Sequence, residues 1–183
     1  MVEARMRLPW VNTTGGPHLV IPERYASAWE GGVAPANGRV VEAAFRCNPE
    51  GPATDYDRAC DVRGWLGVIP VGRGQALVLS GDNTQATYYR WGRGHFLLRW
   101  LYAESETKLL DHFHDVQARL PVEEAAGFWH PGGMVYLMDS TDLPGRWLVE
   151  HTDFQLPRGR YRVLTSHSET EETYIIIHRL QRD

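Results

Sequence analysis

The segment from residue 111 to residue 115 holds the densest group of potential metal ligands and proton carriers, with two aspartates and two histidines. On a helix that turns by about 100° per residue, His112 and His114 point about 200° apart and cannot bind one ion. A pair of metal-binding histidines on a helix needs the i, i+4 spacing, which is missing here. His112 and Asp115 share a face, but such an isolated pair is more typical of a surface contact than of a catalytic dyad. The segment therefore predicts a solvated helix face.

The tract from Asp55 to Asp61 is the second candidate, because it places Cys60 close to Tyr56 and three carboxylates. A nucleophilic cysteine needs a cationic neighbour or a paired histidine to form its thiolate, and carboxylates oppose that ionisation. Cys60 is therefore predicted to pack against Tyr56, four residues before it. Cys47 and Cys60 are too few for a disulfide framework, and neither has a Cys or His neighbour at zinc-ligand spacing.

Residues from distant segments leave one enzymatic alternative open. His95, His130, His151 and Asp139 would form the centre of a small metal-dependent hydrolase if the fold brought them together. No local motif requires this arrangement, so we expect no catalytic residue, no metal ligand and no cofactor. Metal bound in stoichiometric amount after purification would favour the hydrolase.

Composition and charge narrow the classes of partner. The chain has 183 residues, 43% of them hydrophobic, which is enough for a core of its own. Its formal net charge of −4 argues against nucleic acid as the partner, because neutralising phosphates needs a dense basic surface. A cationic partner suits it better. No apolar stretch approaches the length of about 20 residues that spans a bilayer, and the N-terminus lacks the apolar run of a signal peptide. We therefore expect a cytoplasmic protein that does not bind membranes.

The elements that must position these side chains follow from periodicity and turn residues. Leu109, Leu110, Phe113 and Val116 recur at helical spacing, so the longest helix is predicted near residues 104–120. Shorter helices are predicted at 22–30 and 55–62. Strands are predicted at 18–21, 65–71, 75–80, 87–91, 95–102, 133–139, 146–154, 160–166 and 173–180. The fold class is α+β, mostly antiparallel sheet, in one domain over 1–183 or in two packed halves, 1–120 and 121–183.

Two other features of the chain bear on its organisation. The stretch from Gly31 to Thr54 is rich in Gly, Pro, Ala and Asn and is predicted to be a flexible insert, with Val40–Val41 and Ala43–Phe45 as its candidate strand. Trp10–Pro22 and Trp129–Ser140 share a Trp, a Gly-Gly turn and an apolar strand. This similarity indicates either an internal duplication or two ordinary double-glycine turns.

The aromatic residues suggest a binding surface. Seven Trp and eight Tyr exceed what a core of this size must contain, although all of them could also be core residues. Tyr88 and Tyr89 must face opposite sides of their strand, so one of them leaves the core unless both faces are covered. Exposed Trp and Tyr among acids would suit a basic protein partner. The residues predicted to bind it are Asp55, Tyr56, Asp57, Trp65 and Trp100.

Five stretches resemble a family of bacterial polymorphic-toxin immunity proteins, the one called immunity protein twenty-one. They are Trp10–Pro22, Asp55–Cys60, Leu66–Ile69, Gln75–Leu79 and Arg99–Ala103. The resemblance implies a small cytoplasmic antitoxin that binds a toxin domain, blocks its active site and needs no cofactor. An acidic inhibitor would fit a basic nuclease toxin by charge. The oligomeric state is not predicted, and besides the hydrolase a β-rich module with a deep apolar pocket for small ligands remains an alternative.

Overall fold

Eleven strands and three helices make up the described part of the chain, which a computed structural model gives as residues 7–81, 84–144 and 150–183. In chain order they are β1 (Val11–Asn12), β2 (His18–Pro22), α1 (Glu23–Ala26), α2 (Asp55–Cys60), β3 (Leu66–Val71), β4 (Gly74–Leu79), β5 (Gln85–Trp91), β6 (Gly94–Ala103), α3 (Glu106–Val116), β7 (Glu124–His130), β8 (Gly133–Asp139), β9 (His151–Leu156), β10 (Gly159–Glu169) and β11 (Thr173–Arg182). All the strand pairs are antiparallel, so the predicted α+β class with mostly antiparallel sheet is confirmed.

The strands form two sheets. The larger has the order β1-β5-β6-β11-β10-β7, and the smaller has the order β3-β4-β2-β8-β9. Both sheets take strands from before and after residue 120. Alternating side chains from both sheets fill the layer between them, with Leu97 and Val163 from the larger sheet and Val20, Leu77 and Leu137 from the smaller. This layer is the main core of the fold.

The outer face of each sheet is also apolar and needs a cover. On the smaller sheet, Leu19, Ile21 and Val78 pack against Trp29 and against Ala59 of α2. On the larger sheet, Leu109, Leu110 and Phe113 of α3 pack on a set made of Phe96, Leu98, Ile175 and Ile177. Strands that are buried on both faces, such as β2, consequently have a continuous apolar sequence.

The strand order of the larger sheet is symmetric about its centre, and that of the smaller sheet is symmetric apart from its extra strand β3. If β1, β5 and β6 are exchanged with β7, β10 and β11, respectively, the larger sheet has the same strand order, read from its other edge. In the smaller sheet, β2 pairs with β8, and each has one further partner, β4 and β9. Trp10–Pro22 contains β1 and β2, while Trp129–Ser140 contains the end of β7 and all of β8. The two similar segments thus hold equivalent positions, which supports an internal duplication.

Three predicted elements are wrong or incomplete. The helix predicted at 22–30 is a single turn, α1, because the chain must turn to bury Trp29, whose Nε1 donates to the carbonyl oxygen of Ser140 at 3.1 Å. The insert 31–54 contains no strand, and Val40 and Phe45 are 84% and 45% exposed. The strand predicted at 146–154 begins at His151, and residues 146–149 lie outside the described part of the chain.

A close contact at Gly31 joins the insert to the residues that follow β8 and predicts the effect of a substitution there. Gly31 has φ +54°, and a Cβ there would press on the carbonyl oxygen of Thr141 and lie 2.7 Å from that of Asp142. Gly92 has a nearly equal φ of +58° but no atom near its Cβ position. Replacing either by Ala costs about 1 kcal/mol for the backbone conformation. Gly31→Ala should cost about 2 kcal/mol more, because the backbone must also move.

Chemical denaturation of both variants at neutral pH tests this prediction. Gly92→Ala is the matched control, since it changes the same residue type at the same φ. Equal losses in the free energy of unfolding would show that the chain at Thr141 moves without cost and that the contact does not hold the insert.

Candidate functional site

The carboxylates of α2 are occupied by the chain itself. Asp55 is 1% exposed and accepts hydrogen bonds from Nη1 and Nη2 of Arg39, from Arg58 Nε at 2.7 Å and from the Glu30 amide at 2.8 Å. These donors and cations hold the pKa of Asp55 below its ordinary value, although burial opposes the shift. Asp57 is 2% exposed and forms the capping box of α2 with Thr54, the N-cap residue.

The insert is held by the same helix. Asp57 accepts a hydrogen bond from the Cys47 amide at 2.9 Å, and Asp61 accepts from the amides of Ala44 and Phe45 at 2.6 and 2.7 Å. The carboxylates of this tract therefore attach the insert to α2.

Tyr56 and Cys60 are neighbours on α2, as the spacing predicts. Both are half-buried, and the ring of Tyr56 packs against Gly16. Burial raises the pKa of the Cys60 thiol, and so do the charges of Asp57 and Asp61. Cys60 is accordingly a poor nucleophile at neutral pH.

The five residues predicted to bind a partner do not form one patch. Asp55, Tyr56 and Asp57 lie on α2 outside the smaller sheet, whereas Trp100 lies on the outer face of the larger sheet, with its ring 5.3 Å from that of Trp10. Trp65 is half-buried just before β3, and its ring is 4.8 Å from that of His167. Their part in binding stays a prediction.

The histidines of the hydrolase alternative have separate partners. His95 Nδ1 is 2.6 Å from the Tyr88 hydroxyl, while His130 is buried and its Nε2 donates to the Leu156 carbonyl oxygen at 3.1 Å. Asp139 accepts from the amide and hydroxyl of Thr14 at 2.7 and 2.9 Å. Within residues 7–81, 84–144 and 150–183, no three His, Cys, Asp or Glu side chains are placed to hold a metal ion.

A cluster of polar side chains lies buried between the sheets. Arg99 is 1% exposed and donates to the Ser80 carbonyl oxygen and to Thr84 Oγ1. His18 Nε2 donates to the Val11 carbonyl oxygen at 2.9 Å, and His178 Nδ1 is 2.8 Å from Thr165 Oγ1. Burial lowers the pKa of His18 to about 4, and it lowers that of His178 well below its ordinary value, with the Arg99 charge adding to both shifts. The cluster is closed to solvent.

A groove with a volume of about 490 Å³ lies between α3, the end of β5 and residues 7–8. We call it the aromatic groove, because Tyr89, Trp91 and His114 form its wall. The rings of Trp91 and His114 are 4.0 Å apart, and the Tyr89 hydroxyl is 2.9 Å from His114 Nε2. Trp91 nevertheless remains 46% exposed. Tyr88, on the other face of β5, stacks on Phe154 at 4.0 Å, so both faces of this strand are covered.

An acidic surface adjoins this groove. It consists of exposed carboxylates on or just before α3 and at or near the β10–β11 turn: Glu104, Asp111, Asp115, Glu169, Glu171 and Glu172. Lys108 bridges the two parts, with its Nζ 3.2 Å from Glu104 and 3.5 Å from Glu172. Residues 104–119 and 169–172 contain seven acids and two bases, a net charge of −5, so the rest of the chain sums to +1. The negative charge of the protein is therefore concentrated here.

Sequence reasoning missed Trp91 as a site residue. The available signal was a Trp directly before the Gly92-Arg93-Gly94 turn, two residues after Tyr89 and therefore on the same face of the strand.

These observations define an α+β protein of two facing sheets, with an aromatic groove and an acidic surface as its outward chemistry. The chain belongs to the family of immunity protein 21, whose family model matches residues 9–174. The predicted family is thus confirmed. Neither the curated proteins nor the solved structures gave a significant match. None of the described helices is long and apolar enough to cross a membrane.

Proposed function

We propose that this protein is a non-enzymatic inhibitor that binds a cognate bacterial toxin domain in the cytoplasm and neutralises it. The observation that carries the proposal is the match to the family of immunity protein 21 over residues 9–174. An inhibitor acts by covering a surface of its target, so it needs a stable scaffold and a recognition face and no chemistry of its own. The two-sheet core, covered on both outer faces, supplies such a scaffold.

The toxin is a basic protein under this proposal. The net charge of −5 over residues 104–119 and 169–172 would attract a cationic surface and accelerate association. A toxin that binds nucleic acid would carry such a surface, because it must neutralise phosphates.

The geometry favours this function over the two alternatives. A hydrolase built on His95, His130, His151 and Asp139 would need these residues to converge, but the described partners of His95, His130 and Asp139 lie in three different parts of the chain, on β5, on β9 and between β1 and β2. A small-ligand module would need free polar groups in the aromatic groove to orient the ligand. There, Glu106 Oε2 already accepts from the Leu8 amide at 3.1 Å and from Trp10 Nε1 at 2.7 Å.

Co-expression with the product of the neighbouring gene tests the proposal. That product alone should stop growth, and co-expression of this chain should restore growth and give a stable complex on purification. An unrelated toxin of the same activity is the control and should not be neutralised. A harmless neighbour that does not bind would contradict the proposal.

Titration of the purified toxin separates inhibition from enzymatic inactivation. If the protein acts by occupying the toxin, activity should fall linearly and reach its minimum at about one inhibitor per toxin. Complete loss at a small fraction of this ratio, with time dependence, would mean that the chain modifies the toxin and is an enzyme.

A further inference from the structure

We propose that the aromatic groove is the anchor point for the toxin: an apolar side chain of the toxin enters it, and Arg or Lys residues flanking that side chain pair with the adjoining acidic surface. This inference rests on the proposed function and names the face that performs it. The occupant is therefore a basic segment of a protein partner.

The groove has the properties of an anchor site for a protein. The rings of Tyr89, Trp91 and His114 line it together with Leu110 of α3, and its polar lining includes Arg7 and Glu106. An indole that is 46% exposed loses hydration at little cost in side-chain entropy when a partner covers it, because its ring already packs against that of His114. Trp and Tyr side chains that a partner buries provide much of the binding energy in protein interfaces.

The position of the wall is fixed before any partner binds. The Tyr89 ring lies 5.4 Å from that of Phe113, which is fully buried under α3, and its hydroxyl is hydrogen-bonded to His114. The other rim is held by Glu106, whose carboxylate binds the backbone of Leu8. A preformed groove avoids the entropic cost of ordering on binding.

Helix geometry places the carboxylates beside the groove. Thr107, Leu110 and His114 face it, while Asp111 and Asp115 are turned about 100° further around α3. The β10–β11 turn extends this acidic surface, because His112 Nε2 is 2.8 Å from Ser168 Oγ and holds the turn against α3. One partner segment can thus contact the groove and the acids together. Because the surface beside the groove is negatively charged, the toxin segment that occupies the groove is basic.

The first test is binding of the purified cognate toxin to Trp91→Ala, measured by calorimetry. Loss of a central interface Trp typically weakens binding about 30-fold or more, and we expect that loss here. Trp129→Ala is the matched control, since Trp129 is similarly exposed at 37% but lies on β7 at the far edge of the larger sheet. Its Kd should stay within about twofold of the wild type. Circular dichroism checks that both variants fold.

The second test addresses the charges. Asp115→Lys with Glu171→Lys should slow association about tenfold and weaken its dependence on salt. Glu42→Lys with Glu50→Lys makes the same change of net charge on the exposed insert and should have a much smaller effect. Equal effects of the two pairs would mean that only overall charge matters and would overturn the proposed surface.

Hydrogen exchange of the wild-type complex keeps the proposal testable even if Trp91→Ala fails to fold. Toxin binding should protect the amides of residues 89–94 and 105–115. Tight binding without this protection would overturn the groove as the binding site. So would loss of binding in Trp65→Ala or Trp100→Ala but not in Trp91→Ala. Either result leaves the proposed function intact. A wild-type chain that binds no toxin overturns both. A wild-type dimer that Trp91→Ala dissociates would show that the groove holds a second copy instead.

Discussion

Asp55→Ala is expected to lower the free energy of unfolding by about 3 kcal/mol at neutral pH, the lower end of the cost of breaking a buried ion pair. The Asp55 side chain is fully buried and is the common acceptor for Arg39, Arg58 and the Glu30 amide. Removing it leaves two cations and one amide without their acceptor. The loss stays at the lower end because Arg39 is 35% exposed and can regain hydration.

Urea denaturation of Asp55→Ala and Asp61→Ala checks this expectation. Asp61, the C-cap residue of α2, is the matched control. It also accepts hydrogen bonds from the insert, but it is partly exposed and pairs with no cation among the described residues. Asp61→Ala should lower the free energy of unfolding by about 1 kcal/mol. Asp55→Asn, which keeps the shape and loses the charge, should fall between the two. Equal losses for both alanine variants would contradict a central role for the Asp55 network.

The same network shows what the acids predicted to bind a partner contact within the chain. Acids beside Tyr56 suggested a binding surface, yet Asp55 and Asp57 bind the chain's own cations and amides. Their partners, Arg39 and the Cys47 amide, come from the insert, whose path no periodicity predicts. The sequence shows that acids are present, but only the fold shows whether they face the solvent or the protein.

The elements predicted best are those with strong local signals. Helix α3 has apolar residues at helical spacing and Ser105 as its N-cap, and β8 matches its predicted bounds at 133–139. Strand β7 was missed because Ala125, Ala126 and Gly127 have low strand propensity, and its position depends on pairing with β10. Strand β1 has two residues, too few for any pattern.

The aromatic groove could not be predicted because its parts are far apart in the chain. Residues 7–8, 89–91 and 105–114 meet only when α3 covers the outer face of the larger sheet. The helical pattern of α3 indicated that one face is buried, but it did not indicate which strand lies beside it. The acidic charge of residues 104–119 was readable, whereas the groove next to it required the topology.

The buried histidines make stability depend on pH. His18 has a pKa of about 4 in the folded protein, against an ordinary value of about 6.5 in the unfolded chain. Below pH 6.5 the unfolded chain binds a proton that the folded protein excludes, so stability falls as the pH is lowered. The loss from His18 is complete near pH 4 and amounts to about 3 kcal/mol, and His178, shifted in the same direction, adds to it.

Measurements of the free energy of unfolding between pH 7 and pH 4 should show this fall and its origin. His18→Gln, whose amide can still donate to the Val11 carbonyl oxygen, should lose less stability over this range than the wild type. His151→Gln, at the partly exposed start of β9, is the control and should follow the wild-type curve. The range ends at pH 4 because the loss from Asp55, whose pKa is lowered from an ordinary value of 3.8, falls mainly below it. A wild-type curve that is flat from pH 7 to pH 4 would contradict the prediction. It would mean that His18 and His178 bind protons as readily in the folded protein as in the unfolded chain. The two sheets would then have to open around Arg99 at mild acidity.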